Sequence, residues 1–266
     1  MQITTWNVNS LKVRLAHVLS WLETNPVDAL CLQELKLTDD KFPAAEIAAA
    51  GYRSFFLGQK TYNGVAILVK NGLQIDEVDR IDNIPGFEDH QQRLIALTIE
   101  GVRVISAYFP NGQAPGTEKF EYKLRWLAAL ETWITAELVK HPRLALTGDF
   151  NIAPDDRDVL DPSKWVGQNL VSPEERSAFF RLIELGFVDS FRAFEQAEKS
   201  FSWWDYRMFA FRRNAGARID HVLLSPALAP LCTACAIDKT PRAWEQPSDH
   251  APVTATIDTS EHLKSS

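Results

Sequence analysis

The sequence predicts an α/β fold, specifically a four-layer αββα sandwich of two packed mixed β-sheets flanked by helices. Three observations carry this. Many short apolar strands recur along the chain, and only a few amphipathic helices separate them. No low-complexity segment, long linker or solenoid-length repeat breaks the series. The 266 residues are therefore read as one domain over residues 1–258, followed by a short polar tail, 259–266. A chain of this size buries roughly three-quarters of the surface that it exposes when unfolded, enough for a large core.

The elements follow in order. Residues 3–6 form a short strand. A helix over 14–23 puts Leu15, Val18, Leu19 and Leu22 on one face at three- and four-residue spacing. The run 29–33 is apolar throughout, as expected of a strand covered on both faces. A helix over 43–50 has proline in its first turn and Gly51 after its end. Strands are expected at 53–57, 65–69, 75–79, 94–99 and 102–108, with turns at Asn71-Gly72 and Glu100-Gly101. The longest helix, 117–140, carries the stripe Tyr122, Trp126, Leu130, Trp133, Ile134 and Leu138 and ends before His141-Pro142. A strand at 144–147, a helix over 173–185 closed by Gly186, and strands at 219–224 and 253–257 complete the series.

Composition narrows the class. Apolar residues make up 45% and charged residues 24%, ordinary values for a globular protein. No apolar run reaches the length of a membrane span, and the start lacks the pattern of a secretory signal, so no membrane partner and a cytoplasmic location are expected. Cys31 reads as core, and Cys232 and Cys235 as two small thiols in a reducing compartment. The formal charge of −7 weighs against nucleic-acid binding unless basic residues are locally concentrated.

Chemistry is signalled by polar residues at the ends of short strands: Asn7, Glu34 and Asp149 with Asn151 follow strands, Asp220 interrupts Ile219-Asp220-His221-Val222, and Asp249-His250 precedes the last strand. A lone Asn or Asp at such a place is a common turn former; glutamate is not, which singles out Glu34. On an extended segment Asp149 and Asn151 point to one side with Phe150 opposite, although an Asx turn could use the same residues. Two carboxylates about 4 Å apart repel by about 4 kcal/mol at an effective dielectric of about 20. A cleft gathering Glu34, Asp149, Asp220 and Asp249 therefore calls for a divalent cation, a cationic partner or raised pKa values. All-oxygen donors select Mg²⁺ or Mn²⁺. His221 and Asp220 face opposite sides of a strand, so His250 is the better partner for Asp220, and His221 reads as a packed structural residue.

Seven motifs then line up from one end of the chain to the other: Thr5-Trp6-Asn7-Val8-Asn9, Leu32-Gln33-Glu34-Leu35-Lys36, Tyr108-Phe109-Pro110-Asn111-Gly112, Gly148-Asp149-Phe150-Asn151, Phe201-Ser202-Trp203-Trp204-Asp205-Tyr206, Arg218-Ile219-Asp220-His221, and Pro247-Ser248-Asp249-His250-Ala251-Pro252. In this set and order the chain resembles the exonuclease III family of abasic-site endonucleases, within the endonuclease/exonuclease/phosphatase superfamily. The resemblance implies a Mg²⁺-dependent nuclease of base excision repair, with Mn²⁺ as a substitute, that hydrolyses the phosphodiester 5′ to abasic sites in double-stranded DNA and leaves a 3′-hydroxyl. It also allows 3′–5′ exonuclease, 3′-phosphatase and 3′-phosphodiesterase activity at blocked ends.

Roles carry over with the matching positions. Glu34 would be the main metal ligand, with Asn7 beside it and Asp249 auxiliary. Asp149, helped by Asn151, would orient or deprotonate the attacking water. His250 paired with Asp220 would stabilise the pentacovalent phosphorus, and Tyr108 would contact the phosphate or the leaving group. Trp203, Ala217 and Ile219 would form a pocket for an extrahelical abasic sugar, cheap to extrude because its base is gone. Gly167, after Trp165, would leave space near it.

For the DNA backbone the best segment is 207–218, where Arg207, Arg212, Arg213 and Arg218 interleave with Phe209 and Phe211; no acidic residue occurs between Asp205 and Asp220. Arg14, Lys36 and Asn111, with Lys12, Lys60 and Lys119, are further candidates. The protein is expected to act as a monomer. The alternatives are the same fold specialised for 3′-end trimming, a phosphoesterase acting on RNA ends, phosphoinositides or sphingomyelin, and a DNA-binding protein without catalysis.

Overall fold

The computed structural model describes residues 1–259. In chain order it contains β1 (Gln2–Asn7), α1 (Leu11–Thr24), β2 (Ala29–Gln33), α2 (Ala44–Ala49), β3 (Tyr52–Leu57), β4 (Val65–Lys70), β5 (Ile75–Asp82), β6 (Leu94–Ile99), β7 (Val102–Tyr108), α3 (Glu118–Lys140), β8 (Leu144–Asp149), α4 (Pro173–Glu184), β9 (Val188–Asp189), β10 (Asp220–Leu224), β11 (Cys232–Ile237) and β12 (Val253–Ile257). The strands make two six-stranded mixed sheets, ordered β11-β12-β1-β2-β4-β3 and β5-β6-β7-β8-β10-β9. Every helix and strand expected from periodicity is present. β9 and β11 were not foreseen: β9 has two residues, and β11 is a largely exposed strand with a bulge between Cys232 and Ala234, so neither carries a clear apolar alternation. The expected tail, 259–266, lies outside the described residues apart from Thr259.

Strand alternation divides the apolar residues among three layers. Ile3, Ala29, Cys31, Val65 and Ile67 of the first sheet meet Ile95, Leu97, Val104, Ala145 and Val222 of the second in a core between the sheets. The opposite faces go outward. Trp6, Leu30, Leu32 and Leu68 pack under α1 and α2 with Val18, Leu22 and Ile47, while Ala96, Ile105, Leu146 and Leu223 pack under α3 and α4 with Trp126, Leu130 and Phe179. This is the αββα sandwich.

The same alternation positions the site. On the inner rows the apolar residues give way to polar ones toward one end of the sandwich: Ile3 to Thr5 to Asn7, Cys31 to Gln33, Val104 to Ser106 to Tyr108, and Ala145 to Thr147 to Asp149. Parallel pairing sets Asn7 beside Gln33 and Tyr108 beside Asp149; antiparallel pairing sets Asp149 beside Asp220. Gly148 makes the β7–β8 register possible. Its φ is +150°, and a Cβ there would lie 1.8 Å from the Ala107 carbonyl oxygen, an impossible approach for any other residue.

Gly148→Ala should therefore lower stability by about 2 kcal/mol or more, through overpacking against backbone. Gly72→Ala is the control, since Gly72 has a φ of +93° but nothing within 4 Å of an added Cβ. Urea unfolding midpoints that fall equally in the two variants would remove the steric argument.

Candidate active site

The residues that end the inner strand rows converge with two loops. Asn7, at the end of β1, donates from Nδ2 to Glu34 Oε1 and to Asp149 Oδ2, both at 2.9 Å. Its own oxygen accepts from the Asn9 backbone amide at 2.9 Å. Asn7 thus bridges two carboxylates as a donor and stands beside Glu34, where it had been expected. Glu34, just beyond β2, sits at a positive φ of 54°, as do Asn9 and Asn151 at 45° and 50°, strained positions that the surrounding bonds must hold. The Asx turn at Asp149 forms, its Oδ1 accepting from Asn151 N–H at 2.9 Å, while Phe150 turns away into the core under α3 and α4.

On the far side of Asp149 lies His250. Its Nδ1 is 2.9 Å from Asp220 Oδ2 and its Nε2 is 3.6 Å from Asp149 Oδ2. Burial works against a charged imidazole, but Asp220, Asp149 and Asp249 together overcome it and raise the pKa to about 10. The ring is therefore a buried imidazolium with one carboxylate on each nitrogen. Burial raises Asp149 to about 7, with Asp220 adding to the shift and the His250 charge opposing it. Tyr108 closes the ring of residues. Burial, then Glu34 and Asp149, keep its phenol protonated well above its usual range, so it remains a donor. Arg93, itself buried, lies 5.0 Å over the Tyr108 ring and donates to its backbone oxygen at 3.2 Å.

Glu34, Asp149 and His250 present ligand-type atoms that all lie within 4.8 Å of one another, the one such cluster among the described residues. An imidazolium has no free lone pair, so the donors for a cation are the Glu34 and Asp149 oxygens, hard donors suited to an ion such as Mg²⁺ or Mn²⁺. Asp249 lies outside the cluster. Its oxygens accept from Asn9 Nδ2 at 2.9 Å and from Trp203 Nε1 at 3.0 Å, and burial is outweighed by His250, Trp203 and Asn9 in keeping it ionised. Its side chain thus ties the His250 loop to Trp203 and to Asn9.

The expected pocket residues do come together. Trp203, Ala217 and Ile219 share one apolar cluster with Ala153, Val159, Leu170 and Trp165. Ala217 and Ile219 are fully buried, and of the three only Trp203 is partly exposed. Gly167 follows Trp165 on this loop and lines a cavity of about 310 Å³ between Trp165 and Arg176.

The expected DNA contacts divide. Arg207, Arg212 and Arg213 are exposed and enter no ion pair among the described residues, beside Met208 and Phe209 at 76% and 78% exposure. Asn111 is exposed, with its amide donating to Asn151 Oδ1 at 3.0 Å. Lys36 lies on Glu34, 2.9 Å from Oε2, as an internal counter-charge. Two expectations are corrected. Arg14 spends its donors on the backbone oxygens of Asn9, Gln246 and Pro247 and on the Tyr206 hydroxyl, clamping the Asp249 loop to the end of β1. Arg218 is 1% exposed, paired with Asp158 and Asp189 at 2.8 Å each, and donates to His221 Nδ1. Asp158, Asp189 and His221 take up its donors, which leaves none of them for a phosphate. His221 is the packed residue expected: its Nε2 lies 2.9 Å from Ile152 O, and burial and Arg218 push it down to about 4.

Sequence reasoning missed Asn9, Arg93, Lys123 and Tyr206. A signal existed for Lys123, which falls three residues after Phe120 and three before Trp126, on the buried stripe of α3.

The comparisons with known proteins fit this geometry. The profile described as the Endonuclease/Exonuclease/phosphatase family matches residues 4–250. Exodeoxyribonuclease III of Haemophilus influenzae is 37% identical over 96% of this chain and 99% of its own. The 3′ phosphatase NExo from Neisseria, solved with a product DNA hairpin, is 48% identical with a TM-score of 0.93, covering 97% of this chain and 99% of that one. An AP endonuclease from Archaeoglobus fulgidus is 36% identical with a TM-score of 0.92, covering 97% and 100%.

Arg218→Leu should destabilise the protein by about 3–5 kcal/mol, because it leaves the buried Asp158 carboxylate with one partner fewer. Denaturant unfolding measures this. A loss within about 0.5 kcal/mol, the range of an ordinary surface residue, would return Arg218 to the DNA-contact set.

Proposed function

The chain belongs to the endonuclease/exonuclease/phosphatase family as an exodeoxyribonuclease III-type nuclease, and on that premise we propose that it is a Mg²⁺-dependent repair enzyme acting at abasic sites in double-stranded DNA. It hydrolyses the phosphodiester 5′ to the lesion and leaves a 3′-hydroxyl, with Mn²⁺ able to replace Mg²⁺. The observation that carries this reading is Asp149, held between Asn7 and the His250 imidazolium, beside a Tyr108 phenol that stays protonated.

Each side chain has a task that follows from its protonation state and partners. Asp149, with a pKa near neutrality, is suited to take a proton from the attacking water. The backbone amide of Asn151 and the carboxamide of Asn7 fix the two Asp149 oxygens and so the direction of attack. His250, charged and locked by Asp220, donates toward the oxygens of the pentacovalent phosphorus, and Tyr108 donates from the opposite strand row. Glu34 and Asp149 would hold the cation, which when bound supplies charge neutralisation at the phosphate. Trp203 presents the apolar face for the flipped-out sugar. Arg207, Arg212 and Arg213 meet the flanking phosphates, together with the exposed Lys12, Lys60 and Lys119. The domain works as a monomer over residues 1–258.

A second reading, 3′-end trimming with little internal incision, is favoured by one observation: the 48% identity to the Neisseria 3′ phosphatase. One assay separates the two. A duplex with a single abasic site should be incised 5′ to the lesion with Mg²⁺ and left intact with EDTA. Duplexes ending in 3′-phosphate or 3′-phosphoglycolate, run in parallel, rank end trimming. Removal of the blocked ends without internal incision would select the second reading.

Asp149→Asn should lower kcat by about 100-fold or more by removing the base, and His250→Ala by a similar factor by removing the charged donor. Both variants should keep DNA affinity in a gel-shift titration. Turnover near wild type in either one would show that its role has been assigned wrongly.

A further inference from the structure

Beneath the cleft lies a charged pair that the proposed chemistry does not use. Lys123 of α3 and Glu175 of α4 are both fully buried and ion-paired. A lysine ammonium has three protons to place, and Lys123 Nζ places them on the Glu175 carboxylate, on the Asn151 carbonyl at 2.7 Å and on the Asn111 carbonyl at 3.3 Å. Glu175 is equally committed. It accepts from Leu170 N at 3.0 Å, from Ser172 N at 3.0 Å and from the Ser172 hydroxyl at 2.7 Å.

The acceptors and donors come from three segments of the chain, around Asn111, Asn151 and Leu170 to Ser172. The Asn151 backbone amide holds the Asp149 carboxylate. Asn111 bonds Asn151 through its amide, and Asn169 Nδ2 donates back to Asn111 O at 3.1 Å. Leu170 packs in the cluster with Trp203, Ala217 and Ile219, and its carbonyl accepts from Ala153 N at 2.7 Å. The loop over Lys123 is shaped to it: a Cβ on Gly112 would come within 2.9 Å of Lys123 Cδ.

Burying an ion pair is a poor way to gain stability, because apolar residues of similar volume do as well or better. It is a good way to fix several backbone groups in one frame. We propose that Lys123 and Glu175 are positioning residues that lock the segments carrying Asn111, Asn151 and Leu170 together, and so fix the Asp149 carboxylate relative to the pocket. The inference rests on the proposed role of Asp149 as the group that directs water.

The test separates holding the fold from holding the site. Lys123→Met and Glu175→Leu are made singly and together, with unfolding midpoint, kcat and KM measured for each. The singles strand a buried charge and lose stability. The double variant, with no charge left, regains most of it. Its kcat stays down by about tenfold or more, since small misplacements of a reacting group cost rate steeply, and its KM moves by less than about threefold. Recovery of kcat along with stability would overturn the inference, because the pair would then be structural only. Should the double variant not fold, Glu175→Gln decides the matter: a lowered kcat at unchanged KM supports the inference, and an unchanged kcat overturns it. Rates are taken on whichever duplex, abasic or 3′-phosphate, the wild-type enzyme turns over. A wild type that leaves abasic DNA intact would thus sink the proposed function without deciding this point.

Discussion

The structure depends on how several carboxylates are made to tolerate one another around a single buried imidazole. Asp220 and Asp149 face the two nitrogens of His250, Asp249 precedes it in the chain, and a Glu34 oxygen is within 4.8 Å of one nitrogen. At such distances each unscreened carboxylate pair costs on the order of 4 kcal/mol. The protein offsets part of this with the His250 charge, part with Lys36 on Glu34, and part with neutral donors from Asn7, Asn9 and Trp203. Burial and the nearby Asp220 raise the affinity of Asp149 for a proton, and the His250 charge, shared with Asp220, opposes only part of that rise. Its proton affinity thus follows from burial and a neighbouring like charge and not from missing partners, since Asn7 and the Asn151 amide both donate to it.

That network exists because two sheets end their inner rows at the same level. Most of this was legible in the sequence, since alternation and helical spacing are local properties. The series of strands and helices could be written down, and so could the polar residues that end Asn7, Glu34, Tyr108, Asp149 and Asp220 segments. β11 was not legible because its residues are small and mostly exposed, with a bulge that breaks the period. The convergence itself could not be derived from the residues: nothing in the composition of the 29–33 and 144–149 segments says that they belong to different sheets packed back to back. The resemblance to a family supplied that step.

The errors share one physical cause. Arg218 was expected at the phosphates and is instead consumed by buried carboxylates, and the donors of Arg14 are taken up by distant parts of the chain. Arg218 meets Asp158, 60 residues away, and Arg14 reaches the Pro247 carbonyl, 233 residues away. A sequence shows a charge but not the groups that will neutralise it. Lys123 was missed for the complementary reason, since a lysine within an apolar helix stripe reads as a tolerated exception when its partner, Glu175, is 52 residues further on.

These reassignments also bear on how an acidic chain can hold DNA. With Arg218 buried and Lys36 on Glu34, the arginines of the 207–218 segment that stay exposed and without an ion pair among the described residues are Arg207, Arg212 and Arg213. The net charge of −7 belongs to the whole chain; locally, Glu34, Asp149 and Asp220 gather around His250, while no acidic residue lies between Asp205 and Asp220 beside the exposed arginines. It is this local separation of the two signs, not their sum, that a polyanion would meet. The total charge of a chain is therefore a weaker guide to its partners than the charges that folding leaves unpaired.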